Sequence, residues 1–96
     1  MANFRITPAA KGHLVDIWAG TVDRWGEEQA NAYLRQIDEK FHFLAANPRL
    51  GRERPKIRNG YFSFPVGKHI IFYLINGEFV DIIGVLHARM DVPSHI

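Results

Sequence analysis

Apolar residues along this chain follow two different periods. Between residues 10 and 45 they recur every three or four positions, whereas from 61 to 87 they form nearly unbroken runs of β-branched and aromatic types. In the first region Ala10, Leu14, Ile17, Trp18, Thr21 and Trp25 fall on one helical stripe, with Lys11, Asp16, Asp23 and Arg24 mostly on the other side. Thr7-Pro8 supplies a capping side chain followed by a proline at the first helical position, and Trp25-Gly26 ends the helix. Ahead of it, Asn3 to Ile6 is a short β-prone segment. A second, longer helix starts at Glu27 and Glu28, which suit the positive end of its dipole, and carries Ala30, Tyr33, Leu34, Ile37, Phe41, Leu44 and Ala45 until Asn47-Pro48 stops it. A link as short as Trp25-Gly26 implies two antiparallel helices whose joint stripe covers one face of a sheet.

The second region reads as β-structure. Lys68 to Ile75 and Phe79 to His87 flank Asn76-Gly77, a dipeptide that accepts the positive φ angles of a two-residue hairpin. With those two residues at the tip, Leu74 opposes Phe79, Tyr73 opposes Val80, Phe72 opposes Asp81, Ile71 opposes Ile82, Ile70 opposes Ile83 and His69 opposes Gly84. One face then carries Ile70, Phe72, Leu74, Phe79, Ile83 and Val85, and the other His69, Ile71, Tyr73, Val80, Ile82 and Leu86. Both faces are apolar, so both need cover, and the helices supply only one; a partner is expected on the other face or in the adjoining groove. Tyr61 to Phe64 forms a third strand that Pro65 and Gly67 turn into the hairpin, and the tail after His87 is expected to be short and irregular. The expectation is an α+β fold in a single domain over residues 1–96: short N-terminal strand, antiparallel helical hairpin, three-stranded antiparallel meander.

Composition narrows this reading in three ways. Without cysteine there is neither a disulfide framework nor a thiolate metal site. No apolar run approaches the length of a membrane span or a signal peptide, which points to a cytoplasmic protein. The formal net charge is only +2, yet Arg49, Arg52, Arg54, Lys56 and Arg58 crowd into the connection between Asn47 and Gly60, with Glu53 as its one acid. A connection of that length with two prolines and two glycines is more often functional or mobile than incidental, and its cations suit an anion-facing rim.

Candidate chemistry is sparse. The five histidines show no metal-ligand spacing, and no Walker loop, G-x-S-x-G or G-x-G-x-x-G is present, so neither metal nor cofactor is expected. His69 and His87 lie at the open end of the hairpin, on opposite faces in the pairing above, and a histidine near Arg89 has the proton-transfer and charge properties needed to cleave a phosphodiester. Trp18 and Trp25 read as core anchors of the first helix.

The segments DIWAGTVDRWGEEQANAYL, LAANPRLGR, NGYFSFPVGKHIIFY and VLHARMD resemble the ParE family of toxins from bacterial toxin–antitoxin pairs. The resemblance runs from about Ala9 to Asp91, strongest at Ile17-Trp18, Trp25-Gly26, Pro48 with Gly51-Arg52, His69 with Phe72-Tyr73, and Val85-Leu86-His87 with Arg89. It implies the small fold shared by ParE and RelE toxins, a ParD-like antitoxin that neutralises the chain, and DNA gyrase as target. The RelE branch implies the alternative, ribosome-dependent cleavage of messenger RNA. Many relatives carry arginine where this chain has Phe62 or Ser63, and another at Gly84; their loss argues against RNA cleavage, and no catalytic residue is assigned. His87, Arg89, Met90 and Asp91 are the expected target-binding residues, and His69, Tyr73, Arg52 and Arg58 the expected partner-binding ones.

Overall fold

The computed structural model describes residues 3–89. Strand β1 (Asn3–Ile6) leads into helices α1 (Pro8–Trp25) and α2 (Glu27–Ala46), a 3-10 turn (Pro48–Leu50), and strands β2 (Arg52–Glu53), β3 (Tyr61–Val66), β4 (His69–Asn76) and β5 (Phe79–His87). The helical hairpin has the expected boundaries, and Gly26 alone links its two helices. The sheet is larger than a meander. Its order is β1-β5-β4-β3-β2, with β1 parallel to β5 and the other neighbours antiparallel. The basic connection is also more ordered than its composition suggests, since it contains the 3-10 turn and β2.

Thr7 joins three elements. Its N–H donates to the Ile82 carbonyl at 3.1 Å, continuing the β1–β5 ladder, and its hydroxyl donates to the same carbonyl at 2.9 Å. That hydroxyl oxygen also accepts the Ala10 N–H at 3.2 Å, capping α1. One side chain therefore ends the parallel pairing and starts the helix.

The hairpin register corrects the expected one. Asn76 pairs with Phe79, so the two turn residues are Gly77 and Glu78, with Gly77 at φ +61° and no positive φ at any other non-glycine position among the described residues. Glycine first and a negative-φ residue second is the II′ arrangement, which needs glycine only once. Asn76 instead belongs to the strand, where its amide donates to Asp81 at 3.2 Å. The pairing is thus two residues away from the expected one, and a shift of two leaves every side chain on its expected face. A second shift follows at Ile83, an extra residue between the pairs Tyr73–Ile82 and Phe72–Gly84. Beyond this bulge the faces exchange: Val85 joins the helix side and Leu86 turns away from it, opposite to expectation. His69 and His87, expected on opposite faces, stand directly opposite each other.

The core lies between the helices and one sheet face, where Ile37, Phe41 and Leu44 of α2 meet Phe62, Ile71, Tyr73, Val80, Ile82 and Val85. The far face is not left bare, as the all-apolar pattern suggested: Tyr61, Ser63, Phe72 and Leu86 are buried there, and the Arg54 guanidinium sits 5.8 Å from the Phe72 ring centre while donating to the Ser63 hydroxyl. Tyr73 has no exposed surface, and its hydroxyl donates to the Pro48 carbonyl at 2.8 Å and accepts the Gly51 N–H at 2.9 Å. It ties the basic connection to the core.

Replacing Tyr73 with Phe removes both of those bonds while keeping the ring. The expected loss is about 1–3 kcal/mol of unfolding free energy in a denaturant titration, because two part-buried backbone groups lose their partner. A loss near zero would mean that the connection is held in place by something else. Gly77→Val should also destabilise, by roughly 1–3 kcal/mol, since a β-branched residue resists positive φ; Glu78→Val, one residue on, should cost much less.

Candidate interaction groove

Helix α2 buries five side chains, but α1 fully buries only Ala10. The difference opens a groove of about 920 Å³ between α1, the first turns of α2 and the open end of the hairpin. Its α1 wall includes His13, Ile17, Thr21 and Trp25; Gln29 and Tyr33 of α2 close one end; the floor is Gly67, Lys68 and His69 with Val85, Leu86 and His87. The groove exists because β1 stops at Ile6, leaving β5 beyond the bulge without a strand neighbour on that side among the described residues. His13 substitutes in part, its Nδ1 accepting the Val85 N–H at 3.2 Å.

Trp25, expected in the core, is 68% exposed and lines the groove instead. The α1 stripe continues past the point where the sheet can cover it. Trp18 is held between the helices, where its indole N–H donates to Asn31 Oδ1 at 2.9 Å.

A small polar network lies at the groove's end. The Tyr33 hydroxyl is 2.6 Å from His69 Nδ1 and 3.2 Å from the Val66 carbonyl, and it accepts the Lys68 N–H at 3.1 Å. A phenol has one proton, so all three contacts are satisfied together only if His69 Nδ1–H donates to the hydroxyl and the hydroxyl donates to Val66. That assigns the proton of neutral His69 to Nδ1. The backbone comes this close to the ring because residue 67 is glycine: at φ +55°, a Cβ there would lie 2.6 Å from the Tyr33 ring. The His87 ring meets His69 edge-on at 5.4 Å between centres, and its Nδ1 accepts the Arg89 N–H at 3.2 Å. Burial, and secondarily the charge of His87, pushes the His69 imidazole below its ordinary 6.5, while burial raises the Tyr33 phenol.

The expected site residues divide by location. His69 and His87 meet on the groove floor, with exposed Arg89 just beyond; Met90 and Asp91 lie outside the described residues. Tyr73, expected to touch a partner, has no surface to offer. Arg52 and Arg58 are exposed on and after β2, at the opposite edge of the sheet from β5, so they do not share a site with the histidines. Tyr33, His13 and Trp25 were missed as groove residues. Trp25 left one signal, a large apolar residue on the last turn before a one-residue link.

Among the described residues no group of three metal-ligating side chains comes together, and no helix is long and apolar enough to cross a membrane. The groove's chemistry is that of a docking surface: an apolar cleft with a few polar groups to fix orientation.

Comparison with known proteins identifies the lineage. The family described as "ParE toxin of type II toxin-antitoxin system, parDE" matches residues 4–92. Toxin ParE1 of Mycobacterium tuberculosis is 44% identical over 96 residues, covering 99% of this chain and 98% of the relative; Toxin ParE1 of Caulobacter vibrioides is 36% identical, covering 100% and 99%. A chain from a solved structure titled "Chromosomal ParDE TA system from P. aeruginosa" superposes with a TM-score of 0.79 at 20% identity, covering 91% of this chain and 96% of that one. The chain belongs to the ParE toxin family of type II toxin–antitoxin systems, and its α+β fold is the ParE one.

The lowered His69 pKa fixes the sign of a pH effect. The unfolded chain takes up a proton near pH 6.5, the folded chain only at lower pH, so below 6.5 the unfolded state binds more protons and folding weakens. The His69 contribution is therefore complete above pH 6.5 and is lost as pH falls through the lowered value. Asp81, held below its ordinary 3.8 chiefly by its hydrogen bond to Arg5, acts in a more acid range. Denaturation midpoints should fall from about pH 7 to 5, and His69→Gln should flatten that slope; an unchanged slope in the variant would remove His69 as its source.

Proposed function

We propose that this chain is the toxin of its pair, that a ParD-like antitoxin neutralises it by seating an apolar segment in the groove, and that the free chain inhibits DNA gyrase in the cytoplasm. Membership of the ParE family supports the toxin role. The observation that carries the docking mode is the open apolar cleft, walled by exposed Trp25 and floored by the part of β5 that, among the described residues, pairs with β4 but has no strand on its other side. Such a cleft suits an amphipathic helix lying along its apolar wall.

The target surface is proposed to begin at His87 and Arg89 and to extend into Met90 and Asp91. His87 belongs to both surfaces, so a segment filling the groove would cover part of the target contact, and neutralisation would follow from simple overlap. Binding of this kind needs anchors and no chemistry. The two histidines, with Lys68 and Arg89 in the adjoining turns, are also the one grouping that favours the second reading, ribosome-dependent cleavage of messenger RNA. Arg58, the cation that would have to complete such a site, lies at the opposite edge of the sheet.

Trp25→Ala should weaken antitoxin binding at least tenfold in calorimetry, the scale of losing a buried aromatic anchor, while leaving the fold intact because Trp25 is exposed in the free chain. Unchanged affinity would place the antitoxin elsewhere. The purified chain should inhibit gyrase supercoiling, and added antitoxin should relieve it. If the chain instead cuts messenger RNA in a translation extract, and His87→Ala stops the cutting without unfolding the protein, the endoribonuclease reading replaces the gyrase one.

A further inference from the structure

The cations of the connection between α2 and β3 form a second surface, remote from the groove. Arg49, Arg52, Lys56 and Arg58 are exposed, and none takes part in an ion pair among the described residues. Glu53 is the only acid between Glu39 and Glu78 in the sequence, and it pairs with Phe62, so it points to the helix side while Arg52, opposite Ser63, points to the other. The loop beyond β2 is held in shape by backbone bonds from Arg54 N to Tyr61 O at 2.7 Å, Ile57 N to Arg54 O at 3.1 Å and Tyr61 N to Arg58 O at 3.2 Å. Arg54 itself is tied to Ser63. The charges are therefore carried on an ordered edge, which lowers the ordering cost of binding a polyanion.

The rim lies at the corner of the sheet diagonal to the groove. β2 is three strands from β5, about 14 Å across the sheet, and Tyr61 pairs with Leu74, five residues or roughly 16 Å along β4 from His69. A segment in the groove need not cover it.

We propose that this rim binds the phosphate backbone of duplex DNA without reading sequence. Three features favour a duplex over the other polyanions. The aromatic rings next to the rim, Tyr61 and Phe62, are buried, so there is no platform for the unstacked bases of a single strand. Leu50 is the only large apolar residue exposed within the connection, so an acidic protein segment would find charge but few anchors. Four exposed cations against one acid, Glu53, give the surplus of positive charge that backbone contact requires.

This inference stands apart from the gyrase reading and is tested without gyrase. Fluorescence anisotropy of the purified chain with a labelled duplex of arbitrary sequence should show binding that weakens roughly 150-fold between about 50 and 200 mM salt if four phosphates are contacted. Gln at Arg52, Lys56 and Arg58 together should lower the salt slope by about one per cation removed. Gln at Lys11, Arg24 and Arg35, the same change in net charge on the helices, should leave it nearly unchanged. Circular dichroism confirms that each variant is folded. The proposal is overturned if the helix variant loses as much binding as the rim variant, if single-stranded DNA or RNA of equal charge binds more tightly than the duplex, or if a polyglutamate competitor of equal charge displaces the duplex at equal concentration.

Discussion

The one extra residue in β5 shapes the functional half of this protein. Ile83 interrupts the β4–β5 ladder, and its carbonyl and that of Ile82 just before it are where Thr7 attaches the start of α1. Before the bulge, β1 completes the sheet and the helices pack over it. After it, β5 continues without β1, α1 reaches it through the bond between His13 and Val85, and a cleft remains beside them. Were the same sequence to pair without the bulge, Ile83 would oppose Phe72, and Val85 and His87 would fall on the far face. The groove would lose its floor, and His69 would lose its opposing ring.

Much of this fold was legible in the sequence because its signals were local. Thr7-Pro8, the single-residue link at Gly26 and the stop at Asn47-Pro48 each act through neighbours a few residues away, and they set both helices correctly. The hairpin was equally visible as a hairpin. Its register was not, because Asn76-Gly77 and Gly77-Glu78 are both acceptable tips, and the choice rests on the Asn76–Asp81 contact and on pairing further along the strands. The bulge left no mark, since Ile82, Ile83 and Val85 are interchangeable as strand residues and only the Thr7 anchorage shows which is extra. Likewise, β1 and β2 are too short to announce their partners.

The site was legible in pieces for the same reason. His69 and His87 stood out at the strand ends, but their meeting depends on a one-residue shift the pattern could not show. Tyr33 looked like one more member of the α2 stripe; its role follows from the approach of the Gly67 turn. Tyr73 was misread in the opposite direction. It looked like a contact residue, but the Pro48 and Gly51 backbone claims its hydroxyl and leaves it wholly inside. A motif shared across a family marks positions under constraint without saying whether that constraint is internal or at a surface.

The two tryptophans differ in a way that gives the cleft an optical signal of its own. Trp18 is pinned to Asn31 between the helices, whereas Trp25 stands in water on the cleft wall. Indole emission moves to shorter wavelength as its surroundings lose water, so occupancy of the cleft changes the intrinsic fluorescence of Trp25 while Trp18 supplies a nearly constant background. With a partner segment that lacks tryptophan, the state of this protein can be followed in solution with no label attached.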